Sequence, residues 1–189
     1  MLAMEQTSFV AVTGKAEVGK TTFAKAVIPL IPARKLCIYD FNGDYTEYRE
    51  RCGEYYRVRY GKEWEAADFM RRIYNKGNIF AVFDECDLYF TNANDFLKQF
   101  VVTLRNRVGG ALCIFKRSKS IRPDIRSRFD FLVVFQTSLP EDIKYIAEWT
   151  GYDPRELEFL KTLGKGEFVV FDIRKQEKTG PFRLNINKK

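Results

Sequence analysis

The chain has no histidine and only four cysteines in 189 residues, none of them in a C-x-x-C pair. Those absences remove the His/Cys sets that hold zinc, so a metal in this protein has to be bound by oxygen. Cys37 and Cys113 fall inside apolar runs, where a thiol packs as a small hydrophobe, and unpaired thiols fit a reducing compartment. No apolar run approaches the ~20 residues needed to span a bilayer. The start, MLAMEQTSF, lacks the basic opening, apolar middle and small-residue cleavage site of a secretory signal. These features predict a soluble, cytoplasmic protein. Internal repeats, low-complexity segments and linker-like shifts of composition are also missing, so one domain is expected over residues 1–189.

What is present is a regular alternation of short apolar runs with helix-period segments, the βαβ rhythm of a parallel sheet covered by helices on both faces. The expected strands are Phe9 to Thr13, Leu36 to Asp40, Tyr55 to Tyr60, Ile79 to Asp84, Ala111 to Phe115, Phe131 to Gln136, Glu167 to Ile173 and Phe182 to Ile186. Two helical stripes, Trp64/Ala67/Met70/Ile73 and Phe96/Leu97/Phe100/Val101/Leu104, read as core. Ser138 with Glu141 and Asp153 with Glu156 have capping-box spacing, Pro140 and Pro154 sit early in the helices they open, and Gly151 and Gly164 are expected to end them. The net charge of +7 favours polyanions but does not by itself select them. The excess concentrates between Lys116 and Arg128, where six basic residues face one acid. Its arginines Arg122, Arg126 and Arg128 are candidates for DNA contact, or else belong to a solvated helix face.

Gly14-Lys15-Ala16-Glu17-Val18-Gly19-Lys20-Thr21-Thr22 carries the G-x-x-x-x-G-K-[ST] pattern directly after an apolar strand and directly before a helix. Glycines let backbone N–H groups turn inward around phosphates, and the helix N-terminus adds partial positive charge. Lys20 is then placed for the β- and γ-phosphates of ATP and Thr21 for Mg²⁺. A plain glycine turn has no need of the Lys-Thr pair. The second half of such a site is an acid at the end of a buried strand. NIFAVFDE supplies Asp84, expected to hold Mg²⁺, and Glu85, expected to act as general base on the attacking water. Asp40, at the end of the strand after the P-loop helix, is expected either beside the phosphates or in the turn leading to Asn42-Gly43.

With these motifs in place, the sequence resembles the HerA/FtsK superfamily of ring-forming, DNA-pumping ATPases. The resemblance rests on GKAEVGKTT, on YDFNGDY after the second strand, on FAVFDE, and on the layout of LRNRVGG and KRSKSIRPDIRSRFDFLVVF, and it covers Phe9 to Thr137. It implies a RecA/FtsK-like P-loop NTPase fold with core motifs in residues 8–137 and C-terminal helices and strands in 138–189. The family places a γ-phosphate-sensing glutamine where this chain has Phe115-Lys116-Arg117, so Lys116 or Arg117 is expected to take over that contact. The family completes its site with an arginine from the neighbouring subunit; Arg107 is the expected counterpart, with Arg105 in reserve.

A bare motor core is similar to the genome-packaging ATPases of viruses with an internal membrane, notably archaeal turreted icosahedral viruses. That likeness implies double-stranded DNA, a ring (six-membered by expectation), capsid or membrane-vertex proteins as partners, and a place in the host cytoplasm or on the virion. A filamentous-phage-type assembly ATPase and a small P-loop kinase, with the arginines of 122–128 as lid residues, are the competing readings.

Overall fold

The computed structural model describes residues 7–58, 65–88, 100, 103–107 and 109–185. Eight strands, β1 (Phe9–Thr13), β2 (Leu36–Asp40), β3 (Glu54–Arg57), β4 (Phe80–Phe83), β5 (Gly110–Ile114), β6 (Phe131–Phe135), β7 (Glu167–Asp172) and β8 (Glu177–Arg183), form one sheet in the order β3-β2-β4-β5-β1-β6-β7-β8. β3 through β6 in that order pair in parallel, and β7 and β8 add an antiparallel hairpin at one edge. Every residue of β1, β2, β4 and β5 is buried. Their side chains alternate between two cores. Phe9 and Ala11 join a core with Phe69, Met70 and Ile73 of helix α2 (Glu65–Lys76) and with Ile143 and Ile146 of α3 (Pro140–Thr150). Val10 and Val12 face the other way, onto Phe23 and Ala24 of α1 (Lys20–Val27). Phe23 anchors α1 edge-on against Phe135 and Phe168, with ring centroids 6.1 and 5.2 Å away.

The α/β, mainly parallel architecture agrees with expectation, and several details are corrected. The third strand is Glu54–Arg57; the expected residues 59 and 60 lie outside the described region. The last strand is Glu177–Arg183, because β7 turns back through residues 173–176, where Arg174 N and Lys175 N both donate to Asp172 Oδ1 at 3.1 and 3.0 Å. Its exposed, polar sequence hid an edge strand. On α2 the buried stripe is Ala66, Phe69, Met70 and Ile73, without Ala67; Trp64 lies outside the described residues, as do Phe96, Leu97 and Val101 of the other stripe. Phe100 and Leu104 are buried as expected, and residues 103–106 are helical.

Ser138 does not cap α3. Pro140 takes the first helical position, so the N-cap is Leu139 and Ser138 falls one residue too early. The Asp153–Glu156 box does form, at the head of the 3-10 helix Pro154–Lys161. Gly151 caps α3 at φ 78°, whereas Gly164 stands two residues beyond the cap Thr162. Among the described residues no helix is long and apolar enough to cross a membrane. All four cysteines are free, and burial pushes the Cys37 thiol up to about 12.

The β1–α1 connection rests against the end of β6. Gly14 has φ 145°, and a Cβ placed on it falls 2.7 Å from Phe135 Cβ. Gly14→Ala therefore has to move a fully buried strand residue, and the expected loss is on the order of 2 kcal/mol or more. Gly77→Ala is the control: φ is 59° but nothing lies within 4 Å, so only the backbone term of about 1 kcal/mol applies. Thermal unfolding of the two variants should show clearly the larger drop for Gly14.

Candidate nucleotide-binding site

In a parallel sheet the loops leaving the carboxyl ends of the strands share one edge. Here the loops after β1, β2, β4 and β5, with the one before β7, enclose an open cleft of about 560 Å³. Its floor is the loop 14–19. Gly14, Glu17 and Gly19 have φ of 145°, 61° and 115°, a run of the kind that lets successive N–H groups converge on an anion. Lys15 N donates to Gln136 O at 2.9 Å, which ties the loop to the end of β6. Lys20 folds back across the loop and donates from Nζ to Gly14 O at 2.7 Å and Lys15 O at 2.6 Å. Burial lowers its pKa, while Glu85 and Asp84 pull the other way. Of the expected binding set, Ala16, Glu17, Gly19, Lys20, Thr21 and Thr22 line the cleft. Val18 is buried beneath it, and Lys15 points to solvent.

The opposing wall starts where β4 ends. Asp84 is 3% exposed and accepts Glu85 N at 2.8 Å; burial, as the largest cause, pushes its carboxyl up to about 6. Glu85 takes the left-handed conformation, φ 54°, an outlier for a side chain of this size. Its two oxygens are both engaged: Oε1 accepts from Asn42 Nδ2 at 3.1 Å, and Oε2 pairs with Lys116 Nζ at 2.8 Å. That pair raises the Lys116 pKa. The Lys116 backbone N donates to Asp87 Oδ2 at 2.5 Å, so the ends of β4 and β5 are bridged twice.

Of the two candidate sensors, Lys116 lines the cleft and Arg117 does not. Arg117 pairs with Asp142 at 3.2 Å and Glu141 at 3.6 Å on α3. Asp40 takes the turn role: it is fully buried, and it accepts from Gly43 N, Asp44 N, Tyr45 N and Tyr55 Oη at 2.7 to 3.0 Å. Four donors leave it no place beside phosphates. The turn it holds brings Asn42 and Asp44 to the cleft, and no motif in the sequence assigns either of them there. Lys165 also lines the cleft and was not foreseen, since the segment before an antiparallel strand carries no motif.

The remaining candidates lie elsewhere. Arg105 is committed to Asp130 at 3.1 Å and to Arg128 O at 2.5 Å, with its guanidinium over Phe9. Arg107 is exposed at the opposite, amino edge of the sheet, 4.3 Å over the Tyr74 ring. Arg122 forms a two-pronged pair with Asp124 at 3.0 and 2.8 Å, and Arg126 stacks 4.3 Å over Tyr145. Arg122, Arg126 and Arg128 are all half-buried.

No protein-family model matches the chain, and no curated protein sequence matches it either. Solved structures do. The genome packaging NTPase B204 from Sulfolobus turreted icosahedral virus 2 superposes with a TM-score of 0.78 at 17% identity, over 94% of this chain and 97% of that one. EssC (ATPases 2 and 3) from Geobacillus thermodenitrificans gives 0.65 at 16% identity, covering 88% of this chain and 38% of its own. The conjugation coupling protein TcpA of pCW3 gives 0.61 at 15% identity, over 87% and 57%. At these identities the shared feature is the fold. It is a P-loop α/β domain, as the sequence predicts.

The donor set suits Mg²⁺. Thr21 and Asp84 line the same cleft, and among the described residues no three Asp, Glu or Cys side chains converge to cage an ion. A cation here would complete its shell from phosphate and water oxygens, as Mg²⁺ commonly does.

The Asp84 pKa gives a sign that can be tested without nucleotide. The folded value, about 6, lies above the usual aspartate range, so the stabilising contribution is present below about pH 4 and is lost as pH rises through 6. Asp84→Asn should therefore raise the unfolding temperature at pH 8, by on the order of 2 kcal/mol of stability. The gain should shrink toward zero near pH 4. A variant no more stable than the parent at pH 8 would show that Asp84 is not held in a desolvated state.

Proposed function

We propose that this protein is an ATP-driven translocase of double-stranded DNA that works in a ring as a viral genome-packaging motor. The observation that carries this reading is the arrangement of Lys20, Asp84, Glu85 and Lys116 around one cleft at the carboxyl edge of a sheet that matches B204 along nearly its whole length. B204 has been solved with AMPPCP and with ATP-γS, which supports ATP as the ligand here. A kinase has to keep water from the γ-phosphate, whereas Glu85 is placed where a carboxylate can take a proton from water.

In this mechanism the loop N–H groups and Lys20 bind the triphosphate. Thr21 and Asp84 would hold Mg²⁺, which would supply positive charge to offset that of the phosphates. Lys116 then exchanges its partner. A γ-phosphate offers it more negative charge than Glu85 does, and its departure frees Oε2 of Glu85 to accept a proton from the attacking water. Asn42 keeps hold of Oε1, so the freed carboxylate stays aimed at the cleft. Lys116 thus fills the role of the sensor glutamine. Arg107 is the residue we assign to the neighbour's site. Subunits in a ring meet head to tail, and Arg107 stands at the edge opposite its own cleft, whereas Arg105 is tied up by Asp130. Duplex DNA, gripped through phosphates, capsid or vertex proteins, and a location in the host cytoplasm or virion complete the proposal. The grip is not assigned to Arg122, Arg126 or Arg128, whose positions are half-buried.

Phosphate release measured with and without duplex DNA tests this reading, alongside sizing of the assembly. The expected result is DNA-stimulated hydrolysis by a ring, with stimulation falling steeply as salt rises and varying little with base composition. Phosphate transferred to an acceptor with no DNA effect would overturn it in favour of a kinase. Lys20→Ala should abolish turnover, while Glu85→Gln should keep nucleotide affinity and lose roughly 10²-fold or more in rate.

Lys116 makes a separate prediction. Lys116→Ala should lower kcat by roughly tenfold or more with little change in ADP affinity, because the lysine acts only once a γ-phosphate is present. An equal loss of ADP and ATP affinity would place it on the wrong phosphate.

A further inference from the structure

Among the described residues the cleft holds three lysines, and the mechanism uses two. The third, Lys165, lies in the turn between the 3-10 helix and β7, on a segment with no nucleotide motif. This turn is fastened to the P-loop. Gly164 N donates to Glu167 Oε2 at 2.7 Å, and Glu167 N donates back to Gly164 O at 3.0 Å, closing it tightly. Gly166, at φ 82°, donates from N to Val18 O at 2.8 Å, and its own carbonyl accepts Leu184 N from beyond β8 at 2.9 Å. A Cβ on Gly19 would meet Gly166 Cα at 3.5 Å, so little space separates the two loops beside that hydrogen bond. Lys165 is exposed, and among the described residues its ammonium makes no ion pair, unlike that of Lys116.

Strand order decides which end of a nucleotide it meets. Asp84, Glu85 and Lys116 follow β4 and β5, on one side of β1; Lys165 precedes β7, on the other. Because β7 runs antiparallel to β6, its start lies at the carboxyl edge, where Phe168 pairs with Phe135. A triphosphate lying along the P-loop with its γ end toward Glu85 therefore has its α-phosphate toward Thr22, Gly19 and Lys165. We infer that Lys165 binds the α-phosphate and so contributes equally to ATP, ADP and AMP, in contrast to Lys20 and Lys116, which act toward the γ end. The C-terminal hairpin is thereby part of the nucleotide site and not only an edge of the sheet. Its hydrogen bond to Val18 ties Lys165 to the P-loop.

This inference rests on the nucleotide reading of the cleft, and the test separates the two. Calorimetry or a fluorescent-nucleotide titration would compare the full chain with Lys165→Met, which keeps the apolar stem. The expected result is a loss of roughly tenfold in affinity, the same for ATP-γS, ADP and AMP, with the effect on turnover appearing in KM and not in kcat. Lys165→Arg should retain most of the affinity, and unfolding temperatures without nucleotide should match the parent. Undiminished ADP affinity in a folded Lys165→Met protein overturns the inference while leaving the P-loop reading intact. A loss confined to ATP-γS overturns it too, by placing Lys165 at the γ-phosphate. Failure of the parent to bind any of the three nucleotides would instead remove the reading on which it rests.

Discussion

β1 is hydrogen-bonded along both edges, to β5 and to β6, and buried on both faces. The chain that leaves it has little freedom. Phe115 N donates to Val12 O at 2.8 Å on one side, and Lys15 N to Gln136 O at 2.9 Å on the other. Phe135 closes the space beneath Gly14. A loop held at both sides and below can keep its N–H groups in place for an anion without an ordering cost at binding. The same sheet register brings the ends of β2, β4 and β5 to this edge, so the acids and the amines that surround the loop are consequences of strand pairing.

Lys20, Lys116 and Asp84 are each held by the protein itself at the cleft. Lys20 lies on two carbonyls, Lys116 on Glu85, and Asp84 is kept out of water where ionisation is unfavourable. Glu85 adopts a backbone conformation that few residues of its type take, and its side chain is held from two directions. Strain and desolvation of this kind are stabilising for nothing in the fold. They concentrate where a protein has chemistry to do.

The basic residues outside the cleft show how little a charge count says about a surface. Asp130, 5% exposed, accepts Phe9 N at 2.8 Å and pairs with both Arg105 and Arg174. Asp142, also buried, holds Arg117 and accepts Lys119 N. Arg122 and Arg126 use a carboxylate and a ring within the chain. Much of the basic stretch therefore serves to lay the β5–β6 connection back across the sheet, and its positive charge is partly spent on neighbours.

The sequence by itself determined the alternating α/β plan, the P-loop and the Asp84-Glu85 pair. These depend on local signals: uninterrupted apolar strands, glycines at fixed spacing, and an acid where an apolar run stops. It also offered choices that it had no means to make. Lys116 and Arg117 are adjacent in the chain, and only the presence of Asp142 on α3 turns one away while Glu85 draws the other in. Asp40 became a turn acceptor because three backbone amides and Tyr55 converge on it, and β8 emerged as a strand because β7 pairs with it, not because of its own polar sequence. Lys165 reached the cleft through the antiparallel sense of β7 and the Gly166–Val18 hydrogen bond. The partners Glu85–Lys116, Arg117–Asp142 and Val18–Gly166 lie tens of residues or more than a hundred apart in the chain. Pairing at that separation is decided by the packed sheet, since no short stretch of sequence contains both members.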